Sequence, residues 1–135
     1  MDVALKGKKS VTLTFICGNS EAVETLRVFF DSHYEFMKAK CKRDGKLKLI
    51  HYYVSEGPEY DNAPKEFAKW LDGIFPAKTG RTVFTLNEVY ETEDGLHDHY
   101  INSKSWSDSF SEILSSFDIE FGHFNQLDIR QSLWS

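Results

Sequence analysis

The chain has 135 residues, a length that accommodates one domain and leaves no material for a second core. Hydrophobic residues make up 41% and aromatics 15%, which is too apolar for a disordered chain and enough for a packed globule. Sixteen basic against twenty-one acidic side chains give a net charge of −5, which argues against a nucleic-acid or anionic-membrane partner.

Val11, Leu13, Phe15 and Cys17 alternate with Thr12, Thr14 and Ile16, a β-branched and aromatic run that predicts a first strand. Gly18 ends it, and Asn19 or Ser20 is placed to cap a helix whose first turn carries Glu21 and Glu24. Val23, Leu26, Phe30, Met37 and Cys41 then recur at helical spacing, with Tyr34 close to the same stripe. A long amphipathic helix ending before Gly45 follows from that spacing. Lys46 to Val54 reads as a second strand, with Leu47, Leu49, His51 and Tyr53 on one face and Ile50, Tyr52 and Val54 on the other.

Residues 55–80 begin and end with loop signals. Within them Asn62 is placed to cap a helix with Pro64 in its first turn, and Phe67, Trp70, Leu71, Ile74 and Phe75 follow on one face before Pro76. This segment is expected to be an inserted helix that packs on the domain or on a neighbour. Arg81 to Tyr90 predicts a third strand, with Phe84, Leu86, Glu88 and Tyr90 on one face and Val83, Thr85, Asn87 and Val89 on the other. Thr92 is a suitable cap for a second helical region, where Leu96, His99, Ser103, Trp106, Phe110, Ile113 and Phe117 fall close to one face and Asn102-Ser103 is a candidate break. Alternating residues from Ile119 to Leu133 predict one or two terminal strands.

The order β-α-β-(insert)-β-α-β, in a single domain over residues 1–135, predicts an α+β, ferredoxin-like fold with an antiparallel four-stranded sheet and both helices on one face. Strands two and three carry bulky residues on both faces, and two helices cover only one. Ile50, Tyr52, Val54 and their neighbours therefore need a cover, either the inserted helix or a second copy of the sheet. A homodimer is the expected solution.

The two cysteines, Cys17 and Cys41, follow no disulfide or zinc spacing and are expected to be reduced. The stretch Val11 to Cys17 is too short and too alternating for a signal segment, and no run has the roughly eighteen apolar residues of a membrane span. The expected setting is cytoplasmic, with no membrane partner. Lys6-Gly7-Lys8-Lys9 is expected to be a solvated, flexible start rather than a nucleic-acid arm.

Residues Phe84 to Trp106, FTLNEVYETEDGLHDHYINSKSW, join a strand ending in Glu88-Val89-Tyr90 to an acidic helix start at Glu91-Thr92-Glu93-Asp94, followed by Leu96, His99 and Asn102-Ser103. This pattern resembles the antibiotic biosynthesis monooxygenase family of the dimeric α/β-barrel superfamily, and the order of strands and helices extends the likeness. The resemblance implies a dimeric α/β barrel. For the members that oxidise polycyclic phenols without metal or flavin, it also implies a pocket whose polar groups hold a phenolate and assist its deprotonation. The chain departs from the pattern where many relatives carry a second histidine, having Lys104, Ser105 and Trp106 there. It also lacks the first-strand Asn of the haem-degrading branch, and Ser109 stands where that branch places its iron-ligating histidine. Haem oxygenation is therefore not implied, and neither is another cofactor.

His99 is the strongest single candidate. On the apolar stripe of its helix it points toward the sheet, where burial shifts an imidazole pKa. It is either a core histidine hydrogen-bonded to a carbonyl or to Glu88, or a general base or anchor for a ligand. Glu88 is either a buried carboxyl with a partner or a sheet-edge residue, and pairing with His99 satisfies both groups. His51, Tyr53, Tyr100 and Trp106 are candidate ligand-binding residues, with ordinary aromatic core as the alternative. His97-Asp98-His99 is not expected to bind metal, because helix positions two apart point about 200° away from each other. His97 is expected to face solvent, Gly18-Asn19-Ser20 reads as a plain helix cap, and no nucleophile elbow, phosphate loop or dinucleotide fingerprint is present.

Two functions fit these residues. One is a small, cofactor-independent monooxygenase-like enzyme acting on an aromatic or quinone-type molecule, with His99 as base or anchor and Glu88 orienting it. The other is a non-catalytic dimeric barrel that binds a small apolar ligand or serves as an assembly module. An open cleft beside His99 favours the first, a closed core the second.

Overall fold

The computed structural model describes residues 5–134. Strand β1 (Lys9–Cys17) leads into helix α1 (Ser20–Lys40), and β2 (Leu49–Tyr60) follows. A short helix α2 (Phe67–Leu71) separates it from β3 (Lys78–Tyr90). Helices α3 (Glu93–Asn102) and α4 (Ser107–Ser116) flank a 3-10 turn at Lys104–Trp106, and β4 (Ile119–Asp128) completes the sheet. All pairings are antiparallel and the strand order is β2-β3-β1-β4, so β1 and β3 are central. The fold is α+β and broadly ferredoxin-like, as the element order predicts.

Local chemistry sets the element ends. Asn19 caps α1 by accepting from the Ala22 amide at 2.9 Å, and Thr92 caps α3 by accepting from the Gly95 amide at 3.3 Å. The helical break expected at Asn102-Ser103 occurs there, where the Ser103 hydroxyl donates to the His99 carbonyl at 2.7 Å.

The three longer helices cover one face of the sheet. Phe15, Cys17, Phe84 and Leu86 meet Leu26, Phe29 and Phe30 of α1, with Phe110 and Ile113 of α4 packed against them. A smaller cluster joins Val11 and Tyr90 to Leu96 of α3. Aromatic rings interlock edge to face, as Phe15 does with Phe30 at 5.4 Å between centroids.

Several expectations need correction. The strands β2 and β3 extend to Tyr60 and back from Lys78, so much of the expected loop at residues 55–80 is a long hairpin. Pro58 is tolerated because β2 is an edge strand with a register shift at that point. Asn62 caps nothing; Ala63 precedes the turn, and its amide is held by Asp61. The insertion does not fold over the domain. Phe67, Leu71, Ile74 and Phe75 are exposed, and Trp70 and Phe75 pack on Tyr60 of their own hairpin.

A bulge between Leu49 and His51 puts these two residues on opposite faces, where uninterrupted alternation would keep them together. Leu49 packs beneath the helices, as do Tyr52 and Val54. The face away from the helices carries His51, Tyr53, Thr12, Thr85, Asn87 and Val89, a mixed surface, in place of the Tyr52 and Val54 expected to need a separate cover. Lys8 and Lys9 are not a loose start. Lys9 begins β1 and contacts Asp128 at 2.6 Å, and Lys8 pairs with Glu91 at 2.9 Å. Gly7, in the turn before β1, donates its amide to the Ile129 carbonyl at 2.9 Å. Among the described residues no helix is long and apolar enough to cross a membrane.

Candidate functional site

A cavity of about 500 Å³ lies between the helices and the sheet. Leu13 and Leu86 form part of its floor, Phe29, Trp106 and Phe110 come from the helices, and its surface is mostly apolar. Such a cavity is of the size that holds a small organic molecule. Its buried polar groups are Glu88 from β3, His99 from α3 and His33 from α1, and the less buried His97, Tyr100, Ser103, Lys104 and Ser107 also line it.

Alternation along β3 turns Glu88 to the helix side together with Phe84, Leu86 and Tyr90. Glu88 is 3% exposed and His33 and His99 are each 7% exposed. His99 Nε2 lies 3.6 Å from Glu88 Oε1, just beyond hydrogen-bond length. The Tyr90 hydroxyl donates to Glu88 Oε1 at 2.9 Å, and the Tyr52 hydroxyl meets His33 Nδ1 at the same distance. The three groups therefore converge, and one ligand-capable atom of each lies within 4.8 Å of the other two.

Burial dominates their electrostatics. It pushes the Glu88 carboxyl up to about 7, with the Tyr90 hydrogen bond partly opposing the shift. It pulls His33 down to about 4, and His99 likewise to about 4, where the neighbouring His33 adds to the lowering and Asp98 opposes it. Both imidazoles are neutral at neutral pH, so the close approach of His99 to Glu88 is not an ion pair there. Burial also raises the Tyr52 and Tyr90 hydroxyls, keeping both protonated as donors. Tyr100 is pushed up to about 12, first by burial and then by Glu88.

Four residues singled out by sequence come together here: Glu88, His99, Tyr100 and Trp106 all line the cavity. His51 and Tyr53 do not. The bulge in β2 leaves both exposed on the far side of the sheet, and Tyr53 borders only a separate shallow groove at the β2 edge. His97 is exposed, two positions from His99, and no metal-capable cluster joins them among the described residues. The residue that sequence reasoning passes over is His33. Its signal was available: His33 stands three residues after Phe30 and four before Met37, both on the buried stripe of α1.

No protein-family model matches the chain, and no curated protein matches it.

Proposed function

We propose that the chain is a small-molecule enzyme that holds an aromatic, phenol- or quinol-type molecule in this cavity, its acidic hydroxyl directed at the Glu88–His99 pair. The observation that carries this reading is the placement of a buried carboxyl and imidazole at the polar part of an otherwise apolar cavity. Flat aromatic rings suit walls built from Phe29, Trp106 and Phe110. The chemistry favours Glu88 as proton acceptor and His99 as its neutral hydrogen-bonding partner, the reverse of the roles expected from sequence. A carboxyl raised toward neutrality is the better-matched base, whereas an imidazole held near 4 is a weak one.

The resemblance to the antibiotic biosynthesis monooxygenases extends this to oxidation of the resulting phenolate, with dioxygen as co-reactant. The test is a panel of naphthols, hydroquinones and polycyclic phenols, read by calorimetric binding and by oxygen uptake. At least one member should bind, with Glu88→Gln and His99→Ala abolishing turnover. Binding without turnover would leave the non-catalytic carrier, and absence of any binding across the panel would remove the pocket reading altogether.

A homodimer that pairs the open sheet faces fits the same proposal. Phe124 and Tyr53 remain half exposed there beside Ile16 and Val89. Sedimentation should give a dimer that Phe124→Glu dissociates, and a monomer at all concentrations would rule it out.

A further inference from the structure

We propose that His33, Glu88 and His99 form a binding site for one divalent first-row transition-metal ion. The ligand atoms lie within 4.8 Å of one another, on three side chains that are all buried. They come from α1, β3 and α3, so the fold assembles the site, and no short sequence motif announces it. Two ligands each about 2.1 Å from a tetrahedral ion stand about 3.4 Å apart. His99 Nε2 and Glu88 Oε1, at 3.6 Å, already have that spacing. The remaining ligand, within 4.8 Å of both, has to close by at most about 1.4 Å to complete the set.

The donor chemistry is selective. Two imidazoles and one carboxylate suit Zn²⁺, Fe²⁺, Co²⁺ or Mn²⁺, whereas Ca²⁺ and Mg²⁺ favour all-oxygen sites. Glu88 has no Lys or Arg within 4 Å among the described residues, its one basic contact being His99. A buried carboxylate without a cationic partner is costly, and a bound ion supplies the missing charge. Outer partners orient the set: Tyr90 on Glu88 and Tyr52 on His33, each at 2.9 Å. Three protein ligands leave at least one coordination position toward the cavity, the arrangement of a reactive rather than a purely structural ion.

This inference goes beyond the pocket reading and does not depend on it, since the ion needs only the three side chains. An ion held by these three side chains would supply the acidity that deprotonates a hydroxyl in the cavity, and Glu88 would then be a ligand rather than the proton acceptor.

The test uses the full chain, stripped with a chelator and titrated with Zn²⁺ by calorimetry and with Co²⁺ by visible absorption. One ion per chain should bind, the Co²⁺ spectrum should report nitrogen and oxygen ligands, and Zn²⁺ should raise the melting temperature. Glu88→Gln preserves the side-chain shape and should weaken Zn²⁺ affinity at least about 100-fold, as should His99→Ala. Glu88→Gln melting cooperatively without metal shows that the loss is not unfolding. His51→Ala, on the opposite sheet face, should bind as the parent does. Failure of the parent to bind either ion, or binding that survives Glu88→Gln and is lost in His97→Ala, would overturn the proposal. Naphthol binding in chelator is measured alongside: naphthol bound without metal affinity sinks the ion site alone, and metal affinity without naphthol sinks the pocket reading alone.

Discussion

The hydroxyl of Tyr90 lies 2.9 Å from Glu88 Oε1, two residues back on the same face of β3. Both side chains are buried, so the strand itself supplies the one good hydrogen bond that the carboxyl receives among the described residues. Removing it leaves Glu88 less solvated. Tyr90→Phe should therefore destabilise the protein by about 1–2 kcal/mol in urea unfolding. It should also push the Glu88 carboxyl still higher, which carboxyl infrared bands followed against pH would report.

The pH dependence of stability has a definite shape in chelator-treated protein. His33 and His99 titrate near 4 when folded against an ordinary 6.5, so the unfolded chain binds more protons between these values. Their contribution is full above pH 6.5 and is lost as pH falls through 4. Glu88 runs the other way. Its folded value near 7 exceeds the ordinary 4.5, so its contribution is full below pH 4.5 and is lost as pH rises through 7. Two histidines outweigh one carboxyl in the overlap, so stability rises between about pH 4 and 6.5 and levels off near pH 7. Glu88→Gln should steepen that rise, gaining on the order of 2 kcal/mol relative to the parent at alkaline pH. Chemical denaturation at half-unit pH steps measures the rise and the plateau.

Leu13 lines the cavity from the central strand β1. Leu13→Phe should fill part of the space while keeping an apolar floor, changing stability by less than about 1.5 kcal/mol. Affinity for any bound phenol should fall about tenfold or more, a loss of at least about 1.4 kcal/mol. Zn²⁺ affinity should stay as it was. Calorimetry with both ligands separates the effects.

Gly95 fixes where α3 lies. A Cβ there would stand 3.0 Å from the Leu47 carbonyl oxygen, a backbone atom that cannot swing aside. Gly95→Ala should push the helix start away from that segment and carry His99 with it, costing about 1–3 kcal/mol. Thermal melting tests the cost, and a parallel drop in ligand affinity tests the link to His99.

Much of this arrangement was legible in the residues, for stated reasons. Alternation in Val11 to Cys17 and Phe84 to Tyr90 is unbroken, so the inward side of both central strands, Glu88 included, follows directly. Thr92 fixes the phase of α3 and hence the inward aim of His99. The α1 stripe is less determinate. His33 and Tyr34 lie one position apart, both compatible with a face defined by Phe30 and Met37, and packing of Phe29 against Trp106 and Phe110 rotates His33 inward. His51 fails for a different reason: one extra residue at a bulge flips a strand's facing, and no residue in Leu49-Ile50-His51 marks it. The hairpin arms were hidden because Gly57 and Pro58 carry turn signals that an edge strand can absorb.

The most direct measurement is imidazole nitrogen NMR of the five histidines while a naphthol is titrated into chelator-treated protein. The ring nitrogens of His33 and His99 should shift together and saturate at one ligand per chain, while those of His51 and His123 stay fixed. Saturating ligand that leaves His33 and His99 unmoved, or that shifts His51 instead, would contradict the assignment of this cavity as the site.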